Sequence, residues 1–169
     1  GIVLNAKGSI DTTATTTSLN TNNNAVVINA DSNANGTGTL YLGGLTVNPG
    51  SGDVVIRGDA IIAETARING SGTLTVESNG NSFSSNVATS WLTPAATLTG
   101  LSIGKSTNAF DVYVNSNVSI AGPITLQGSG IFVQQNLAST GPGDLLFQGN
   151  SNTLSFLLSD GKSITKTAG

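Results

Sequence analysis

The chain has 169 residues, a net charge of -3 at pH 7 and only 9% charged residues, and Asn, Ser, Thr and Gly make up about half of it. Its six Lys and Arg are spread from Lys7 to Lys166 without clustering, which excludes a basic nucleic-acid surface. Cys and His are absent, so thiolate and imidazole metal sites are excluded with any disulfide framework, and no run approaches the roughly 20 apolar residues of a membrane span. Disorder is disfavoured as well. The hydrophobic fraction is 37%, and it consists mostly of Val, Ile and Leu at alternate positions, which a disordered chain has no reason to maintain.

In chain order, one short pattern recurs: two apolar residues flanking any residue, then a polar or small pair. Its copies are IVLNA from Ile2, VVINA from Val26, LYLGG from Leu40, VVIRG from Val54, LTVES from Leu74 and LSIGK from Leu101. VYVNS from Val112, VSIAG from Val118, ITLQG from Ile124, IFVQQ from Ile131 and LLFQG from Leu145 follow, with LSFLL from Leu154 as a looser relative. Each reads as a short strand whose outer apolar residues share one face, closed by an Asn, Gln or Gly that lets the backbone turn.

The starts at 2, 26, 54, 74, 101, 124 and 145 are separated by 20 to 28 residues, the range of solenoid coils. The remaining copies fall between them, which implies two or three strands per coil. The expected fold is therefore all-β: a right-handed parallel β-helix of about six or seven rungs, one domain over 1–169. Val, Ile and Leu fill its interior, and Asn at strand ends forms hydrogen-bonded ladders between rungs. A six-residue period, the mark of a left-handed hexapeptide helix, occurs only locally between Val112 and Ile131. A β-sandwich is the alternative architecture, since many short strands separated by turns also describe it. The least repetitive stretch, 79–97, reads as a protruding loop.

These strands, embedded in Asn, Gly, Thr and Ser, resemble the repeat regions of filamentous-haemagglutinin-like and autotransporter-type bacterial adhesins over most of the chain. The resemblance implies a segment of a longer secreted protein, exported by a two-partner or related system, whose β-helix is a shaft or surface fibre at the bacterial cell surface. Implied partners are neighbouring rungs of the parent chain or further copies end to end, and a glycan or protein receptor. Phage tail spikes share the same style of sequence. Asn48 and Pro49 in TVNPGSG read as a turn within the shaft.

Because β-helices also include polysaccharide-cleaving enzymes, catalysis is the rival reading, with a depolymerase as its form. The nine carboxylates are dispersed, with no Asp-Asp or Asp-x-Asp, whereas a glycosidase needs two flanking one bond. Stacking can still bring distant acids together, and Asp53, Asp59 and Glu77, with Arg57 and Arg67 as partners, are the first group to inspect; a surface ion-pair ladder is its bland explanation. No catalytic residue, cofactor or metal site is assigned. Ice binding through the T-x-T pairs at Thr15, Thr37, Thr73, Thr97 and Thr165 is a lesser alternative that requires a flat, aligned Thr face. Candidate glycan contacts are the aromatic residues: Trp91 beside Phe83 on the expected loop, and Tyr41, Tyr113 and Phe132 at outward strand positions. For Trp91, filling the core is the competing role.

Overall fold

Alternating apolar residues in strands too short to be stable alone must be stacked on neighbours, and the computed structural model shows how. It describes residues 1–14, 16–62 and 66–167. These form 21 strands and one 3-10 turn, Thr89–Trp91, arranged as seven coils of three strands each. Rung one contains β1 (Ile2–Asn5), β2 (Ile10–Asp11) and β3 (Thr17–Asn20); rung two contains β4 (Val26–Asn29), β5 (Thr39–Tyr41) and β6 (Leu45–Asn48). Rung three contains β7 (Val54–Arg57), β8 (Ala60–Ile62) and β9 (Ala66–Ile68); rung four contains β10 (Thr73–Glu77), β11 (Val87–Ala88) and β12 (Leu92–Pro94). Rung five contains β13 (Gly100–Ile103), β14 (Val112–Val114) and β15 (Val118–Ile120); rung six contains β16 (Ile124–Gly128), β17 (Ile131–Val133) and β18 (Leu137–Ser139). Rung seven closes with β19 (Leu145–Gly149), β20 (Phe156–Leu158) and β21 (Ile164–Lys166).

The first strands of all seven rungs form one continuous parallel sheet, β1-β4-β7-β10-β13-β16-β19. Its register aligns Ile2, Val26, Val54, Leu74, Leu101, Ile124 and Leu145 in a single inward row, which is the series of starts read from the sequence. The second face is divided into β2-β5-β8 and β11-β14-β17-β20, and the third into β12-β9-β6-β3 and β15-β18-β21. Both breaks flank rung four: β11 pairs with β14 of rung five, whereas β12 pairs with β9 of rung three. Every ladder is parallel, so the β-solenoid stands and the sandwich does not. The local six-residue period arises because β14, β15, β16 and β17 are successive sides of a coil joined by short corners.

Inward residues of rungs two to six are buried: Val26, Ile28, Val54, Ile56, Leu74, Val76, Ile124 and Leu126 expose nothing. Polar strand ends bond rung to rung as expected. Asn29 Nδ2 donates to Asn5 Oδ1 at 2.7 Å, and Asn48 and Asn69 continue a second ladder from Asn20 at 2.7 and 2.9 Å. Gln127 Nε2 donates to Gln148 Oε1 at 2.8 Å on the first face. Such amide ladders satisfy both donor and acceptor without charge, which accounts for the composition.

Candidate functional site

Rung lengths vary mainly at the first corner, between the first and second strands. Residues 30–38, 78–86 and 104–111 form long loops there in rungs two, four and five, while 58–59 and 129–130 are tight corners in rungs three and six. The long loops bond to one another. Asn79 Nδ2 donates to Ala30 O at 2.5 Å and to Asn29 Oδ1, at the end of β4, at 2.6 Å; Lys105 Nζ donates to Gly80 O at 3.0 Å, and Asn150 Nδ2, in the rung-seven loop 150–155, to Ser106 O at 2.6 Å. Ser82 Oγ donates to the buried Asn108 Oδ1 at 3.1 Å, and Ala109 N donates to Ser82 Oγ at 2.9 Å. The result is a polar flange along one edge of a rigid scaffold, the kind of place where binding surfaces arise.

The stretch 79–97 differs from the expected protruding loop. Residues 79–86 belong to the flange, but Val87 and Ala88 return to the second face and Leu92 to Pro94 to the third, in register with rung five and rung three respectively. Phe83, expected to present a ring to ligand, is 2% exposed and sits in the core. The sequence around it lacks alternation, so its burial left no signal: a loop ring fills space that no strand residue reaches. Trp91 is half-buried at the corner between the second and third faces, packed against the core.

The structure aligns two of the outward aromatics and leaves the third apart. Tyr113 and Phe132 are register partners on the second face and their rings stack, centroids 4.9 Å apart at 14°. Leu157, 39% exposed, continues the row in rung seven, and Ala88 begins it in rung four. Phe132 lies over Gly130, where a Cβ would meet its ring at 2.6 Å. Stacking in this manner occupies the facing π-surfaces. A sugar, which stacks on a free ring face, is offered less here than isolated outward rings suggest. Burial, then the nearby Asp111 carboxylate, raises the Tyr113 phenol above its ordinary value; the hydroxyl donates to Asp111 Oδ2 at 3.3 Å. Tyr41 stands in rung two between Asp11 and Ile62.

The three acids do not converge. Asp53 precedes β7 and Glu77 ends β10, four register positions apart along the same face, a separation of about 13 Å at strand rise. Glu77 is instead paired with its register partner: Arg57 Nε donates to Oε1 at 2.6 Å. Asp53 Oδ1 accepts the Thr73 amide and hydroxyl, both at 2.8 Å, which hold its carboxyl below the ordinary range, the backbone bond contributing most. Asp59 lies beyond the first corner, its backbone bonded to Gly38 and Ser84. Arg67 is on the third face, aligned with Thr46 and Thr93. Among the described residues no group of three carboxylates is placed to hold a metal ion.

The T-x-T pairs are scattered. Thr15 lies outside the described residues; Thr37 is in the flange, Thr73 and Thr75 on the first face, Thr97 and Thr99 at a corner bonded to Gly70 O and Ser71 O, and Thr165 on β21. The outward partners of Thr75 are Val55 and Ser102, so no pair stacks on another there. A shallow groove over the first face, lined by Thr73, Thr75, Ser102 and Thr125 around Gly100, follows from the small side chains of rung five. Comparison with known proteins found no matching family model, no matching curated protein and no matching solved structure.

Proposed function

We propose that this chain is a structural and adhesive segment of a large secreted bacterial surface protein, a shaft that holds binding surfaces away from the cell. The observation that carries this reading is the continuous seven-stranded first face, in one register from Ile2 to Leu145, whose inward row is buried wherever a rung lies on both sides. Length and rigidity are what such a stack provides, because its strand ladders join each rung to its neighbours and further rungs extend it, while Asn79 and Asn150 reach across a tight-cornered rung to the loop beyond. Rung seven is the end most in need of a partner: Leu154 and the inward Phe156 and Leu158 are 40–46% exposed. Further rungs of a parent chain or a second copy end to end supply that cover. The second-face row and the flange are the surfaces available to a glycan or protein receptor. A non-enzymatic role is supported by the separation of Asp53 from Glu77 and the neutralisation of Glu77 by Arg57.

The test is a structure of the chain within its native assembly on intact cells. Rungs or like ends against both terminal rungs, in an extended shaft outside the cell, are expected. A location inside the cell, or a globular catalytic unit formed over the first face, overturns the reading.

A further inference from the structure

Three tripeptides of this chain have the N-x-S/T form that N-glycosyltransferases accept: Asn35-Gly36-Thr37, Asn69-Gly70-Ser71 and Asn117-Val118-Ser119. All three Asn are exposed, so exposure does not separate them. Their hydrogen bonds do. Asn69 is the end of an amide ladder, with Nδ2 donating to Asn48 Oδ1 at 2.9 Å, and Ser71 N is bonded to Gly50 O. Asn117 enters β15; its Oδ1 accepts Asn136 N at 3.2 Å, Val118 is buried and Ser119 lies within the strand. Asn35 alone lies in a long flange loop, and its Nδ2 donates to Asn33 Oδ1 at 3.1 Å, a bond within the loop rather than between rungs. There Thr37 closes back on it, its amide donating to Asn35 Oδ1 at 3.2 Å and its hydroxyl at 2.5 Å.

We infer that Asn35 is a glycan acceptor, and that the fold selects it over Asn69 and Asn117. The chemistry follows from the bonds to Oδ1. Two donors on the amide oxygen withdraw electron density from nitrogen and make the Nδ2 proton easier to remove. Nδ2 then bonds to the anomeric carbon of a phosphate-activated sugar, whose carbon–oxygen bond to phosphate breaks; the phosphate leaves with the electron pair and the proton passes to a base of the transferase. Gly36, at φ +80°, gives the loop its turn without a side chain in the way of an enzyme. At the other two sites a transferase has to peel a rung-to-rung contact away to reach the tripeptide. The inference rests on the surface-protein reading for its access to a transferase in the cell, but its selectivity rests on the fold.

Trypsin separates the three sites, because cleavage at Lys7, Arg57, Arg67, Lys105 and Lys162 places them in peptides 8–57, 68–105 and 106–162. Folded chain is incubated with an N-x-S/T-specific transferase and its sugar donor, and the native protein is mapped alongside. Sugar mass on 8–57 is expected at least tenfold above the other peptides in the folded chain, lost in Asn35→Gln and in Thr37→Ala, and present on 8–57 of the native protein. Equal or preferred labelling of 68–105 or 106–162 in the folded chain overturns the selectivity. Unmodified 8–57 in protein found at the cell surface overturns the acceptor role while leaving the shaft reading intact; protein found inside the cell overturns the shaft reading, and the labelling of folded chain still decides the selectivity.

Discussion

Rungs five and seven carry the same inward pattern yet differ in what surrounds it. Leu101 and Ile103 of rung five are 5% and 1% exposed, whereas Phe156 and Leu158 of rung seven, in register with Ile131 and Val133 below them, are 42% and 40% exposed. Phe147 and Phe156 meet at 5.8 Å and partly cover the end. In a solenoid, burial is therefore conferred by the next rung rather than by a residue's own rung. The stability of any side chain depends on whether it has one neighbour or two.

The sharpest way to break that comparison is to truncate one inward residue in each region. Ile103→Ala leaves a cavity between two rungs that cannot collapse without distorting both ladders, and is expected to cost about 2–5 kcal/mol. Leu158→Ala removes a side chain already 40% in water, and is expected to cost about 1–2 kcal/mol by the area it buries. Urea unfolding of the two variants compares them directly; equal losses show that rung seven is covered in solution.

Backbone positions sharpen the same contrast. Gly104 ends the first side of rung five at φ +84°, and a Cβ there overlaps the carbonyl oxygen of Gln127 in rung six. Gly104→Ala combines a left-handed backbone with a clash against a ladder group, and is expected to cost roughly 1–3 kcal/mol. Gly161, also left-handed at φ +68°, has open space around it in rung seven. Gly161→Ala is expected to show the backbone strain alone, roughly 1 kcal/mol. A thermal scan of each variant measures the gap; its absence shows that rung six yields to accommodate Gly104→Ala.

What the sequence disclosed follows the same physics. The first face was legible because its strands carry β-branched residues inside and its register is uninterrupted, so VVINA, VVIRG and LTVES look alike. Third-face strands were mostly missed. β9 and β18 place Ala66 and Ser139 inward, and β12 ends at Pro94, so their alternation is weak although Ala66 and Ser139 are fully buried. Ser139 is tolerated there because its hydroxyl donates to Gly122 O at 2.7 Å. Of the candidate contacts, the pairing of Tyr113 with Phe132 depended on register, which loops of unequal length conceal. Phe83 was misplaced because a loop residue that fills the core obeys no period. The separation of Asp53 from Glu77 likewise required the register, since both stand near neighbouring strands in the sequence.

The polar ladder offers a smaller test. Asn48 donates to Asn20 and accepts from Asn69, joining three rungs, so Asn48→Ala is expected to cost about 1 kcal/mol. Asn5→Ala, which removes a single bond at the edge of rung one, is expected to cost less. Denaturation of both variants decides whether a ladder's middle member outweighs its end.

The smallest expected effect concerns acid. Asp53 accepts two bonds from Thr73 that are stronger to its carboxylate than to its neutral form, so its folded value lies below its unfolded one. By linkage, a group lowered on folding stabilises the folded chain above its unfolded pKa and loses that contribution as pH falls through the folded value. Stability is therefore expected to decline below about pH 4, where an ordinary Asp begins to bind its proton. Asp11, lowered by the Thr13 hydroxyl and then its amide, stands in rung one and titrates in the same direction. The two differ in reach: Asp53 ties rung three to rung four, whereas Asp11 bonds only within its own turn. Asp53→Asn is thus expected to flatten the acid limb of a stability-against-pH curve more than Asp11→Asn does. An equal flattening shows that bonds between rungs count no more than bonds within one.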